Sequence, residues 1–101
     1  MNKIVENYYN EEITRLQKKI ATLKSLRALT DRVYELIKSK LQDDEVSSYR
    51  ISVDFEKPRA EAELELKLQK FRDIDLYDVE LKKLTNSVYQ CCESIKATIV
   101  I

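Results

Sequence analysis

Three aspartates close together in the C-terminal half are the side chains best placed for chemistry. Asp73, Asp75 and Asp78 could supply the oxygen ligands that Mg²⁺ prefers, or a carboxylate pair for acid–base work. Aspartate is equally typical of helix N-caps, and a helical pattern follows directly. We favour the capping interpretation. The run of residues 43–45 (Asp-Asp-Glu) is a weaker metal candidate, because nothing else in the sequence converges on it.

The two cysteines, Cys91 and Cys92, are adjacent. On a helix, neighbouring side chains point about 100° apart and are poorly placed to bond each other. The chain has no histidine, so two thiols cannot complete a zinc site within one chain. We expect one buried and one partly exposed thiol, with an intermolecular disulfide or a redox role as the alternative.

The chain also lacks glycine, which excludes the phosphate-cradling loops, dinucleotide fingerprints and nucleophile elbows that need backbone without a side chain. Without histidine, the commonest general base is missing as well. The sequence therefore predicts a protein that is not an enzyme, with no catalytic residue, no cofactor and no metal. No motif in it identifies a family.

Nucleic-acid binding is the second functional hypothesis. The formal net charge is zero, but residues 1–42 carry nine Lys or Arg against five Asp or Glu, whereas residues 43–81 carry six against twelve. In a dimer, the basic segment could meet phosphates, although acidic side chains are interleaved with it. The basic residues assigned to this contact are Lys18, Lys19, Lys24 and Arg27.

The basic segment is helical by its pattern. Its apolar residues recur at steps of three and four, and it contains neither Gly nor Pro. Repeated steps of three after Leu23 leave two alternatives: a break near Ser25 or Thr30, or one long helix, straight or kinked, whose buried face shifts. We favour the long helix. It would protrude from a domain of this size, so we expect a homodimer whose interface contains Ile13, Leu16, Ile20 and Leu23.

A β-hairpin follows over residues 46–56 and 60–70. Apolar and polar residues alternate in both runs, and the runs flank the only proline. Alternation at spacing two overrules the helical propensity of the second run, since such residues cannot share one helix face. The register that pairs apolar with apolar residues sets Val53 opposite Ala62 and Ile51 opposite Leu64, and leaves an acidic outer face.

The last segment, residues 75–101, is predicted to be a helix over 76–97 with an apolar tail. Tyr77, Leu81, Leu84, Val88 and Ile95 step by three or four, with one gap filled by a cysteine. We expect the hairpin to pack its apolar face on this helix. The tail, Ile99 to Ile101, is expected to form a short strand at the edge of the hairpin or across a dimer interface.

The sequence thus predicts a single α+β domain over residues 1–101, with a helical segment 1–42, a hairpin 46–71 and a C-terminal segment 75–101. Lys3 is followed by polar residues rather than an apolar run, so we expect no signal peptide, no membrane span and a cytoplasmic setting. The charged fraction of 36% is compatible with a thermophilic source, and the lack of glycine and motifs with a viral one. The functional hypothesis is an assembly or interaction protein.

Overall fold

The computed structural model describes residues 2–56 and 59–101. It has the predicted α+β architecture, in which one long helix and one short helix lie on a four-stranded antiparallel sheet. In chain order, the elements are α1 (Lys3–Lys38), β1 (Val46–Asp54), β2 (Glu61–Leu68), α2 (Val79–Leu84), β3 (Ser87–Cys91) and β4 (Ser94–Val100).

Helix α1 is continuous over 36 residues, which confirms the long helix and excludes a break near Ser25 or Thr30. It begins at an Asn2 cap, whose Oδ1 accepts hydrogen bonds from two of the free N–H groups of the first turn. It ends at Lys38, four residues before the predicted limit at residue 42. The molecule is consequently elongated, with extents of 63 × 26 × 20 Å and a radius of gyration of 17.9 Å, against about 13 Å for a compact domain of this length.

The repeated steps of three in the sequence mark a change of buried face along α1. In its C-terminal half, Leu26, Thr30, Val33 and Ile37 are buried against the sheet. On a helix of about 3.6 residues per turn, these four residues lie roughly a quarter turn around the helix from the predicted interface residues Ile13, Leu16, Ile20 and Leu23. The first half of α1 extends beyond the sheet, and its side chains are largely exposed.

The sheet has the strand order β1-β2-β4-β3, so β2 and β4 are central. The predicted hairpin register is confirmed on both faces, with a bulge between Val46 and Ser48; the turn residues 57 and 58 lie outside the described residues. The apolar partners across β1 and β2 are Tyr49 and Leu66, Ile51 and Leu64, and Val53 and Ala62, and the polar partners are Arg50 and Glu65, Ser52 and Glu63, and Asp54 and Glu61.

The prediction of a helix over residues 76–97 was wrong. Only Val79–Leu84 is helical, and the rest forms the hairpin of β3 and β4. The same segment also contains a strand pattern, in which Ile95, Ala97 and Ile99 alternate with polar neighbours. The residues at helical spacing include only the first of these three. The second edge of β2 needs a strand to pair its backbone groups, and β4 supplies it.

The apolar tail belongs to β4, which pairs with β2 at the edge of the β1–β2 hairpin, as the sequence predicted. In β4, Ile99 is fully buried, and the chain end at Ile101 is partly exposed. The inner faces of β2 and β4 pack against α1 instead of the predicted C-terminal helix, and α2 contacts α1 and β3. Neither helix in the described part of the chain has the length and apolar character needed to cross a bilayer.

Candidate protein–protein interface

The four residues predicted to form the dimer interface share one exposed face of α1. Ile13, Leu16, Ile20 and Leu23, hereafter the apolar seam, fall within an arc of about 80° on the helix. Their exposed fractions are 50%, 48%, 52% and 42%. Side chains on a lone helix are still shaded by neighbouring turns, so values near one half indicate that the described residues leave the seam without a tertiary covering.

The face that carries the apolar seam continues into the C-terminal half of α1 as the wall of a groove. Arg27 and Tyr34 lie on the same arc as the seam, and both line the groove together with Leu23. The opposite wall and floor come from the sheet, chiefly from the inner face of β1. The seam and the groove are therefore one continuous surface of the molecule.

The groove between α1 and β1 has a volume of about 520 Å³ and an almost entirely apolar lining. Tyr49, Ile51 and Val53 of β1 face it, with exposed fractions of 71%, 50% and 37%. Their cross-strand partners on β2 are fully buried beneath α1. The cover that α1 provides for the sheet therefore stops at β2.

The four residues assigned to nucleic-acid contact are not gathered on one face. Lys18, Lys19, Lys24 and Arg27 are distributed over an arc of about 240° around α1. The Nζ atom of Lys19 lies 5.2 Å from the centre of the Phe55 ring, within cation–π range. Arg27 lines the apolar groove. Within a single copy, these side chains do not form a common basic patch.

Two of the three aspartates, Asp75 and Asp78, accept hydrogen bonds from nearby backbone N–H groups. Asp78 is the N-cap of α2 and accepts hydrogen bonds from the backbone N–H groups of Glu80 and Leu81. Asp75 accepts one from the N–H group of Tyr77 at 2.9 Å. Within residues 2–56 and 59–101, no cluster of His, Cys, Asp or Glu could hold a metal ion.

The cysteines lie at the turn between β3 and β4 and not on a helix. Cys91 and Cys92 are both free and exposed, so the expectation of one buried thiol was wrong. The expectation failed because it depended on the helix over residues 76–97. In the hairpin, Cys91 ends β3 on the solvent side, and Cys92 is in the two-residue loop.

Ion pairs join the segment before β1 to the segment after β2, and join neighbouring strands on the outer face of the sheet. Arg72 holds Glu45 through two nitrogen–oxygen contacts of 3.0 and 2.6 Å. This pairing, with the backbone N–H group of Gln42, lowers the pKa of the Glu45 carboxyl below its ordinary value. On the outer face, Glu65 lies 3.8 Å from Arg50 and 3.6 Å from Lys96. The Arg72–Glu45 pair, together with the Gln42 hydrogen bond to Glu45, holds the turn after α1 next to the start of β1.

The β1 half of the groove was missed in the sequence, because Tyr49, Ile51 and Val53 were expected to lie beneath a C-terminal helix. The alternation of Ile95, Ala97 and Ile99 was the signal that could have revealed it. With a second hairpin there, α1 lies over β2 and β4 and α2 contacts β3, so no helix in the described part of the chain lies over β1. Comparison of the chain with models of protein families, with curated proteins and with solved structures finds no match.

Proposed function

We propose that this chain is a non-enzymatic interaction or assembly protein that works as a homodimer through α1. The observation that supports this function is the exposed apolar seam on a helix that extends beyond the sheet. Burying a leucine or isoleucine side chain stabilises a protein by about 1.5–3 kcal/mol. Four such side chains along one exposed helix face are typical of an interface between chains.

The helix geometry supports an interface more than it supports a catalytic site. The 3-4-3 spacing of the apolar seam matches the knobs-into-holes packing of two helices. The apolar groove next to the seam has a wall that belongs to the same helix face. The seam and the groove form one continuous surface that suits protein contact, whereas Asp78 caps α2 and the two cysteines lie apart at a turn.

A cytoplasmic setting is part of the proposal. Two exposed thiols next to each other are compatible with a reducing compartment, where disulfides are rare. In an oxidising compartment, such thiols would tend to form bonds between chains.

The test is the solution mass, measured by size-exclusion chromatography with light scattering over a dilution series. We expect twice the chain mass of 11.9 kDa and an elongated elution profile. Ile20→Glu should give a folded monomer, because its side chain contributes to the apolar seam and is half exposed within one copy. Ala21→Glu introduces the same charge at the next residue, which faces away from the seam, and should remain a dimer.

A wild-type monomer at all concentrations would overturn the homodimer. Equal effects of Ile20→Glu and Ala21→Glu would show that the seam is not the interface. Titration of a short DNA duplex at low salt examines the alternative function. Affinity of the wild-type protein that falls steeply with salt would indicate phosphate contacts and would favour the nucleic-acid role.

A further inference from the structure

The first two turns of α1 are apolar over a wider arc than the seam. Ile4, Val5, Tyr8 and Tyr9 span about 140° of the helix circumference, compared with about 80° for the apolar seam. All four are exposed, and Ile4 is 80% exposed. A helix that packs only on another helix needs a narrow stripe, whereas one that packs on a helix and a sheet together needs a broad one. Val5 and Tyr9 continue the seam, and Ile4 and Tyr8 are turned toward the side on which α1 carries its sheet.

The edge strand β1 has no helix over its inner face. Four strands at about 4.8 Å spacing are roughly 19 Å wide, and a packed helix covers about 10 Å. Helix α1 contacts β2 and β4, and α2 contacts β3 and α1. Among the described residues, this arrangement leaves the inner face of β1 without a helix. The uncovered strip is one strand, about 5 Å wide, so a second helix placed there would pack on β1 and on α1 together.

The apolar seam is symmetric in sequence about Lys18. An antiparallel pair of α1 helices centred there places Ile13 against Leu23 of a second copy and Leu16 against Ile20. The same alignment sets Tyr9 opposite Arg27, which allows a cation–π contact. In a parallel pair, Arg27 would oppose Arg27, and like charges would meet. The antiparallel alignment also carries the broad N-terminal turns to the groove of the other copy.

We propose that two copies pair through antiparallel α1 helices crossing near Lys18, so that the N-terminal turns of each, residues 4–9, fill the groove between α1 and β1 of the other. The inference rests on the homodimer of the proposed function and specifies its geometry. Each copy then completes the helical layer over the other's sheet. Contact from about residue 2 to residue 34 is roughly 50 Å long, which suits an interface of standard size, about 1,200–2,000 Å².

Disulfide trapping tests the alignment, in a background with Cys91→Ser and Cys92→Ser. The double variant Tyr9→Cys with Arg27→Cys should form a covalent dimer, whereas neither single variant should. Within one copy the two positions are about 27 Å apart on the helix, and a disulfide needs Cα atoms within about 7 Å. The matched control is Glu11→Cys with Ser25→Cys, at the same level on the far face of α1, and it should not crosslink.

The outcomes separate this inference from the homodimer itself. Efficient crosslinking by Tyr9→Cys alone would establish a parallel pair and overturn the alignment while the homodimer stands. A dimer by light scattering that no variant crosslinks would place the interface elsewhere. A monomer by light scattering would remove the proposed function together with this inference.

A second measurement examines the groove from the sheet side. Ile51→Asp should raise the dissociation constant of the dimer at least tenfold, although Ile51 is not on the helix. Ser52→Asp adds the same charge at the neighbouring position on the outer face, and should leave the constant within about twofold of the wild type. Circular dichroism establishes that both variants fold. Equal dissociation constants for the two variants would show that the second copy does not cover β1.

Discussion

Arg32 of α1 and Glu80 of α2 form a two-point ion pair between the helices. The Nε and Nη2 atoms of Arg32 lie 2.8 and 2.9 Å from the two carboxylate oxygens of Glu80. This hydrogen-bonded contact lowers the pKa of the Glu80 carboxyl below its ordinary value. It joins the short helix to the long one on the side of the sheet away from β1.

The stability provided by this pair should disappear in acid. Because the folded-state pKa of Glu80 is lowered, its contribution is complete above the unfolded value of about 4.3 and is lost as the pH falls through the folded value. We expect Glu80→Gln to lower the urea midpoint at pH 7, and its difference from the wild type to vanish at low pH. Glu11→Gln, which removes a carboxylate from the protruding half of α1, is the control. A difference that persists in acid would contradict the pairing.

Gln90 should hold the segment before α2 against β3. Its Nε2 donates hydrogen bonds to the backbone oxygens of Arg72 and Cys92, and its Oε1 accepts one from the N–H group of Ile74 at 2.8 Å. Gln90→Ala removes these three hydrogen bonds, two of which are exposed, and should lower the free energy of unfolding by about 0.5–1.5 kcal/mol. Hydrogen exchange at Ile74 should accelerate in Gln90→Ala and stay slow in Gln90→Glu, which keeps the acceptor. Equal exchange in both variants would contradict this role.

Cys92 should be a strained position. It has φ of 58° at the first loop position of the β3–β4 hairpin, and it is the only residue with positive φ in the described part of the chain. Glycine takes this conformation without the steric penalty of a side chain. Cys92→Gly should stabilise the fold by up to about 1 kcal/mol in urea unfolding, whereas Cys91→Gly, within β3, should destabilise it. A loss of stability on Cys92→Gly would show that the loop is not strained.

Leucines on the two faces of α1 should behave differently on truncation. Leu26 is 1% exposed in the core of one copy, so Leu26→Ala should cost about 2–5 kcal/mol at every protein concentration. Leu16 belongs to the apolar seam, and Leu16→Ala should lower the thermal midpoint only at concentrations where the wild type is dimeric. Thermal unfolding over a dilution series distinguishes the two. A concentration-independent effect of Leu16→Ala would assign that side chain to the core.

The first hairpin was predictable because strand alternation is a local property. With period two, only one register pairs Ile51 with Leu64 and Val53 with Ala62, and any one-residue slip sets apolar against polar side chains. The apolar seam was predictable for a similar reason, since a helix without Gly or Pro keeps its periodicity over its whole length. Both features depend on residues close together in the chain.

The second hairpin was not predictable by the same means. The residues from Val88 to Ile99 satisfy helical and strand spacing in part, and short apolar runs do not distinguish the two. The free edge of β2 decided between them, because its backbone groups needed a pairing strand. That requirement is non-local, as the strand that meets it lies about thirty residues further along the chain.

The sequence by itself determined the long helix, its apolar seam and the first hairpin, because each follows from the periodicity of neighbouring residues. Only the tertiary structure decided that the C-terminal segment is mostly sheet, that α1 covers β2 and β4, and that the inner face of β1 is exposed beside α1. Those outcomes depend on how the two helices are distributed over the four strands, because α1 lies over β2 and β4 and α2 contacts β3, which leaves β1 uncovered. The groove between α1 and β1 is the consequence of that uneven helical cover.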